Sequence, residues 1–195
     1  MARLSQVNRE TKETRINLSL DLDGTGQGRI DTGIPFFDHM LELLTRHSLF
    51  DIELTARGDL EIDAHHTVED IGIALGLAVA QALGDKAGIT RFGDCLMPMD
   101  EVLVATAIDL SGRPGLFYEV ELPIELIGSY DTSLTGEFLQ AFVNNAKCTV
   151  HSSLLRDGNF HHIVEAVFKG FARALGQSTT FDPRVRGVPS TKGKL

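Results

Sequence analysis

Apolar positions along this 195-residue chain follow two different periods, and the switches between them come round twice. In PFFDHMLELLTRHS and SLTGEFLQAFVNNA they recur at helical spacing, whereas FDIELTARGD and KCTVHSSLLRDG read as strands running into turns. HHTVEDIGIALGLAVAQALGD and HHIVEAVFKGFARALGQ return to helical spacing and reach the same ALG stop, whose glycine suits a helix C-cap. Ahead of each series, RINLSLDLDGTGQGRIDTG and EVLVATAIDLSGRPGLFYEVEL predict a strand, a glycine-rich turn and a second strand.

The order strand, strand, helix, strand, helix therefore occurs twice, which predicts two ββαβα halves spanning residues 1–92 and 93–195. The expected fold class is α+β, each half a sheet covered by two helices and the halves related by a pseudo-twofold axis. The alternation is too irregular for a doubly wound parallel sheet. With the first helices in register, His39 stands opposite Glu137 and His47 opposite Asn145; a two-residue contraction then brings His65 and His66 onto His161 and His162.

Composition narrows the partners. A hydrophobic content of 43% supports a folded core, and a net charge of -9 argues against nucleic-acid or anionic-membrane surfaces, which demand a concentrated positive face. Small molecules or other protein chains are expected instead. Cys95 and Cys148 lack a CxxC spacing, so two reduced thiols are expected, without a disulfide framework or a thiolate zinc site. The polar start, MARLSQVNRETKETR, has no apolar signal core and no run reaches membrane-spanning length, so the cytoplasm is the expected compartment.

The chemistry concentrates in DAHHTVED and NFHHIVEA, two HHxxE motifs that take four of the seven histidines. Adjacent helical residues diverge by about 100°, so neighbouring imidazoles reach two nearby ions more readily than they grip one. Glu69 and Glu165 fall three and four residues after the histidines and share their side of the helix. The six ligands His65, His66, Glu69, His161, His162 and Glu165, joined by His39 and Glu137, supply four groups to each of two ions and leave positions open for substrate, as a catalytic site requires. Imidazole and carboxylate without sulfur suit Mn(II), Fe(II), Zn(II), Co(II) or Ni(II). A solvated helix start explains one such motif but not two at matching places. His151, opposite Glu53 in the repeat, is expected to be structural.

RETKET, PFFDHML, DAHHTVEDIGIALG, RFG, PMDE, DLSGRP, HHIVEAVFKGFARAL and DPRVRGVPSTKG, spread over residues 7–193, together resemble the imidazoleglycerol-phosphate dehydratase family. The resemblance implies a hydro-lyase of histidine biosynthesis that converts imidazoleglycerol phosphate to imidazole acetol phosphate and water. It implies two Mn(II) per active site and a homo-oligomer of 24 subunits with active sites between protomers. One ion would take His39, His66, His161 and Glu165, the other His65, Glu69 and His162, with Glu137 in a slot where many members carry histidine.

In that chemistry two Lewis acids stabilise an imidazolate, which expels hydroxide to give a diazafulvene-like intermediate. One general base and one acid then suffice, and Glu13 is the substrate-contacting carboxylate and the candidate base. Arg91, Arg113, Lys169, Ser190, Thr191 and Lys192 match the phosphate-binding positions, and His47 is assigned to substrate binding. Lys169 also stands four residues after Glu165, at ion-pair spacing. The tail from Asp182, with four cations and one acid, reads either as a solvated end or as a segment that orders over phosphate. A dinuclear hydrolase and a metal-storage or metal-sensing protein are the competing readings.

Overall fold

In the computed structural model, which describes residues 2–195, each half adds one strand to the expected order. The first half contains β1 (Leu4–Glu10), β2 (Thr14–Asp21), β3 (Gly28–Asp31), α1 (Pro35–Ser48), β4 (Asp51–Gly58) and α2 (His65–Leu83). The second contains β5 (Phe92–Met99), β6 (Val102–Asp109), β7 (Gly115–Glu119), α3 (Leu134–Ala146), β10 (Thr149–Arg156) and α4 (Phe160–Thr179), with a small hairpin, β8 (Leu126–Ile127) and β9 (Tyr130–Asp131), before α3.

The halves are thus βββαβα, and the added strands β1 and β5 are edges. The two four-stranded sheets run β1-β2-β4-β3 and β5-β6-β10-β7, antiparallel except for the outer pairs β3–β4 and β7–β10. A strand paired on one side needs few apolar residues, and only Val7 of β1 is buried, which is why its polar sequence carries no strand signal.

Each sheet lays one face on helices. In β2 the buried positions are Thr14, Ile16, Leu18 and Leu20, with Arg15 and Asn17 exposed between them, the period of a half-buried strand. The helices do not cover the sheets half by half: α2 lies against β1 and β2 and packs on α3, while α4 lies against β5 and β6 and packs on α1. Each half's first helix therefore crosses to the other half's second helix.

Glycines allow these close crossings. A Cβ at Gly72 would come within 2.7 Å of the Phe138 carbonyl oxygen, and one at Gly76 within 2.6 Å of that of Phe142. On the other side Gly176 stands against Ser48, 2.6 Å from the same test atom to its carbonyl oxygen. Gly176 is consequently not a C-cap, because α4 continues to Thr179; only Gly84, at φ 56°, ends its helix. Phe37, Phe138, Phe142, Phe168 and Phe171 fill the space between the crossings, and truncating such a ring costs about 3–5 kcal/mol.

Candidate metal centre and anion cradle

The α1–α4 crossing carries His39 to the HHxxE motif of the other half. Glu165, only 6% exposed, points one carboxylate oxygen at His161 Nε2 (3.3 Å) and His39 Nε2 (3.7 Å). Its other oxygen accepts from the Lys169 ammonium at 2.5 Å. Burial alone would raise the Glu165 carboxyl, yet the Lys169 hydrogen bond and charge outweigh it and hold the group below its ordinary value. Phe36 sets its ring edgewise to His161, with centroids 5.0 Å apart. His162 turns away, its ring centroid 6.1 Å from that of His161 and nearly perpendicular.

α2 begins the same way. The rings of His65 and His66 stand 6.1 Å apart at 89°, and Asp63 accepts from the His65 backbone N–H at 2.8 Å. His66 Nδ1 lies 2.9 Å from Asp59 Oδ2, whose hydrogen bond pulls the imidazole pKa up despite some desolvation. Glu13 sits in the β1–β2 turn; its carbonyl holds the Asp59 N–H at 3.1 Å, and its exposed carboxylate adds to the field on His66. Glu69 is half-buried and Glu137 is exposed.

The chain places predicted ligands in separate groups. Among the described residues the one cluster tight enough for an ion joins Asp100, Glu101 and His162, and no cluster unites the two HHxxE motifs. The donor types suit Mn(II), being imidazole nitrogens and carboxylates with no thiolate, and Nδ1 of His66 and of His162 each faces a carboxylate.

Arg91, Arg113, Ser190, Thr191 and Lys192 do come together, in a cavity of about 560 Å³ that also includes Lys194. Arg91 is held by Asp109 at 2.7 and 3.1 Å and by the Pro189 carbonyl at 2.9 Å, which draws the tail onto the body. Asp109 lies within 4.0 Å of Arg113 as well. The tail is therefore laid down as turns beside this cavity. Lys169 is not in this group. It pairs with Glu165, and with Arg173 it depresses the His47 pKa, an effect led by burial.

That cavity and the HHxxE motif of α4 lie at opposite ends of the helix. The Arg91 N–H donates to the Ser178 carbonyl at 2.9 Å, seventeen residues beyond His161, and a helical rise of 1.5 Å per residue makes that span about 25 Å.

Sequence reasoning assigned no role to Asp59 or Glu101. Glu101 lies within PMDE, but nothing local shows that it meets His162 Nδ1 at 3.0 and 3.3 Å. It also accepts from the Asn159 N–H, the largest of the contacts that lower its carboxyl to about 2. His151, exposed on β10, stacks on the exposed Phe117 with ring centroids 4.4 Å apart.

Comparison with known proteins agrees on one family. The family model described as "Imidazoleglycerol-phosphate dehydratase" matches residues 32–175. Relatives bearing that name from Citrifermentans bemidjiense and Geobacter sulfurreducens are 57% and 55% identical over 195 residues, the full length of both chains in each case. The Staphylococcus aureus dehydratase structure superposes with a TM-score of 0.83 at 40% identity, covering 92% of this chain and 99% of that one. The Pyrococcus furiosus structure, in complex with (S)-C348, gives 0.84 at 38% identity over 97% of this chain and all of the other.

Proposed function

The chain belongs to the imidazoleglycerol-phosphate dehydratase family, and on that premise we propose that its two HHxxE motifs hold a pair of Mn(II) ions in active sites shared between subunits. It is a hydro-lyase of histidine biosynthesis, acting at the dehydration of imidazoleglycerol phosphate.

The observation that carries the shared site is the roughly 25 Å between the anion cradle and the HHxxE end of α4. A substrate made of one imidazole ring, three carbons and a phosphate is far shorter. This supports a reading in which the phosphate is received by Arg91 and Arg113 of a neighbouring copy, as an assembly of 24 subunits would allow. The exposed side chains of His39 and Glu137 suit contact with another copy.

The residue roles follow from charge and placement. His39, His66, His161 and Glu165 would hold one ion and His65, Glu69, His162 and Glu137 the other. The ions would supply Lewis acidity at the two imidazole nitrogens of the substrate. Arg91 and Arg113 offer fork-shaped donors for phosphate, with Lys192, Ser190 and Thr191 adding charge and hydroxyls. Lys169 and His47 stand at the Glu165 end, where they would meet the substrate body. Glu13, exposed beside His66, would take the proton from the carbon adjacent to the one that loses its hydroxyl.

The test is to chelate the purified protein, reload it with Mn(II) under reductant and follow ketone formation from imidazoleglycerol phosphate together with inorganic phosphate. Manganese-dependent ketone with phosphate retained is expected. Release of inorganic phosphate would favour a dinuclear hydrolase, and tight metal binding without turnover would favour storage or sensing.

A further inference from the structure

We propose that Asp59 and Glu101 are positioning residues for His66 and His162, locking each imidazole in the tautomer that presents Nε2 to a metal ion. The inference rests on the manganese reading above and deepens it.

A carboxylate only accepts hydrogen bonds, so an imidazole nitrogen beside it must carry the proton. A neutral imidazole has one N–H. With Nδ1–H directed at Asp59 Oδ2 (2.9 Å) or at Glu101 Oε2 (3.0 Å), the lone pair is left on Nε2. The ring is also fixed in orientation, and Glu101 reaches Nδ1 with its second oxygen at 3.3 Å.

The origin of the two carboxylates is informative. Asp59 follows β4 directly, but its counterpart after β10, Asp157, turns to the Gly158 N–H at 2.7 Å instead. Glu101 directly precedes β6, as Glu13 directly precedes β2. Inherited equivalence would have placed both carboxylates at the same position in the repeat. Different positions instead deliver the same contact to equivalent histidines, in both cases to the second histidine of the motif. Two non-equivalent loop positions thus supply the one contact that a metal-facing imidazole needs at its other nitrogen.

A structural explanation exists for Glu101, which also accepts from the Asn159 N–H at the start of α4 (2.7 Å). Amide variants separate the two roles. In Glu101→Gln the amide oxygen still accepts from Asn159, but the NH2 donates to Nδ1 and moves the imidazole proton to Nε2, blocking the ligand nitrogen. Asp59→Asn does the same at His66. Asp63→Asn, which removes a neighbouring charge contacting only the His65 backbone, is the control.

Mn(II) affinity of the chelated, fully assembled protein is read by electron paramagnetic resonance of unbound Mn(II), with thermal unfolding and assembly size measured alongside. Glu101→Gln and Asp59→Asn are expected to weaken binding by about 10–100-fold, with unfolding temperature and assembly retained and turnover recovering in excess Mn(II). Amide variants that bind as the wild type does would overturn the proposal, as would an equal loss in Asp63→Asn. If an amide variant does not assemble, Glu101→Asp or Asp59→Glu decides: an acceptor at altered reach is expected to weaken binding by up to about 10-fold, and unaltered affinity rejects the role. Wild-type protein that binds no Mn(II) would instead remove the manganese reading itself.

Discussion

The two HHxxE motifs open equivalent helices, yet their glutamates have come to stand in different surroundings. Glu165 is buried and already compensated, with Lys169 at 2.5 Å and two imidazoles within 3.7 Å. Glu69 is half-buried, the position matching Lys169 is Ile73, and the position matching His39 is the exposed Glu137. In the first half the buried charge is the next residue, Asp70, which accepts from Arg9 at 2.7 Å and from the Thr14 hydroxyl. An acid taken out of water needs a counter-charge. In the second half Lys169 supplies one, while Glu69, only half-buried, keeps part of its hydration.

Breaking the compensated side should have the largest effect. Glu165→Gln removes the group on which His39, His161 and Lys169 converge, and losing a Lewis acid worth several kcal/mol corresponds to roughly a thousand-fold in kcat. Steady-state rates at saturating Mn(II), with metal content per chain, check this. Removing residues 190–195 strips the second half of an element the first half lacks. With charge-assisted hydrogen bonds worth about 1.5–3 kcal/mol each, KM should rise on the order of a hundred-fold while Mn(II) content stays unchanged.

Glu137, the second half's counterpart of His39, tests whether carboxylate and imidazole serve equally at that position. Glu137→His is expected to keep activity, whereas Glu137→Ala should weaken Mn(II) binding by at least about 10-fold, the lower range for losing even an indirect metal contact. Titration of chelated protein with Mn(II) distinguishes them.

The last effect is on stability. In Lys169→Met the Glu165 carboxylate loses its cation but keeps two imidazoles nearby, a cost of about 1.5 kcal/mol, the low end for a hydrogen bond to a charged group, in urea unfolding of the metal-free protein. The pH dependence has a definite sign. Because Lys169 holds the Glu165 carboxyl below its ordinary value, its stabilisation is present above about pH 4.3 and is lost as pH falls through the lower folded value. Wild-type stability should therefore drop more steeply than that of Lys169→Met between about pH 5 and pH 3.

The amino-acid sequence by itself determined the duplicated α+β plan, the central strands, the four helices and the pairing of HHxxE motifs at helix starts, because hydrophobic period and motif spacing are local properties of the chain. Edge strands β1 and β5 escaped it, since one-sided pairing asks little of their side chains. Gly176 has the appearance of a helix stop and is in fact the contact face against Ser48, a distinction that exists only once α1 and α4 cross. Tertiary structure alone decided that His39 meets Glu165 from the other half, that Asp59 and Glu101 reach His66 and His162, and that Arg91 lies a helix length from His161. Those relations join residues 7 to 126 positions apart, through turns and crossings whose geometry is set by packing, and no periodicity within one element records them.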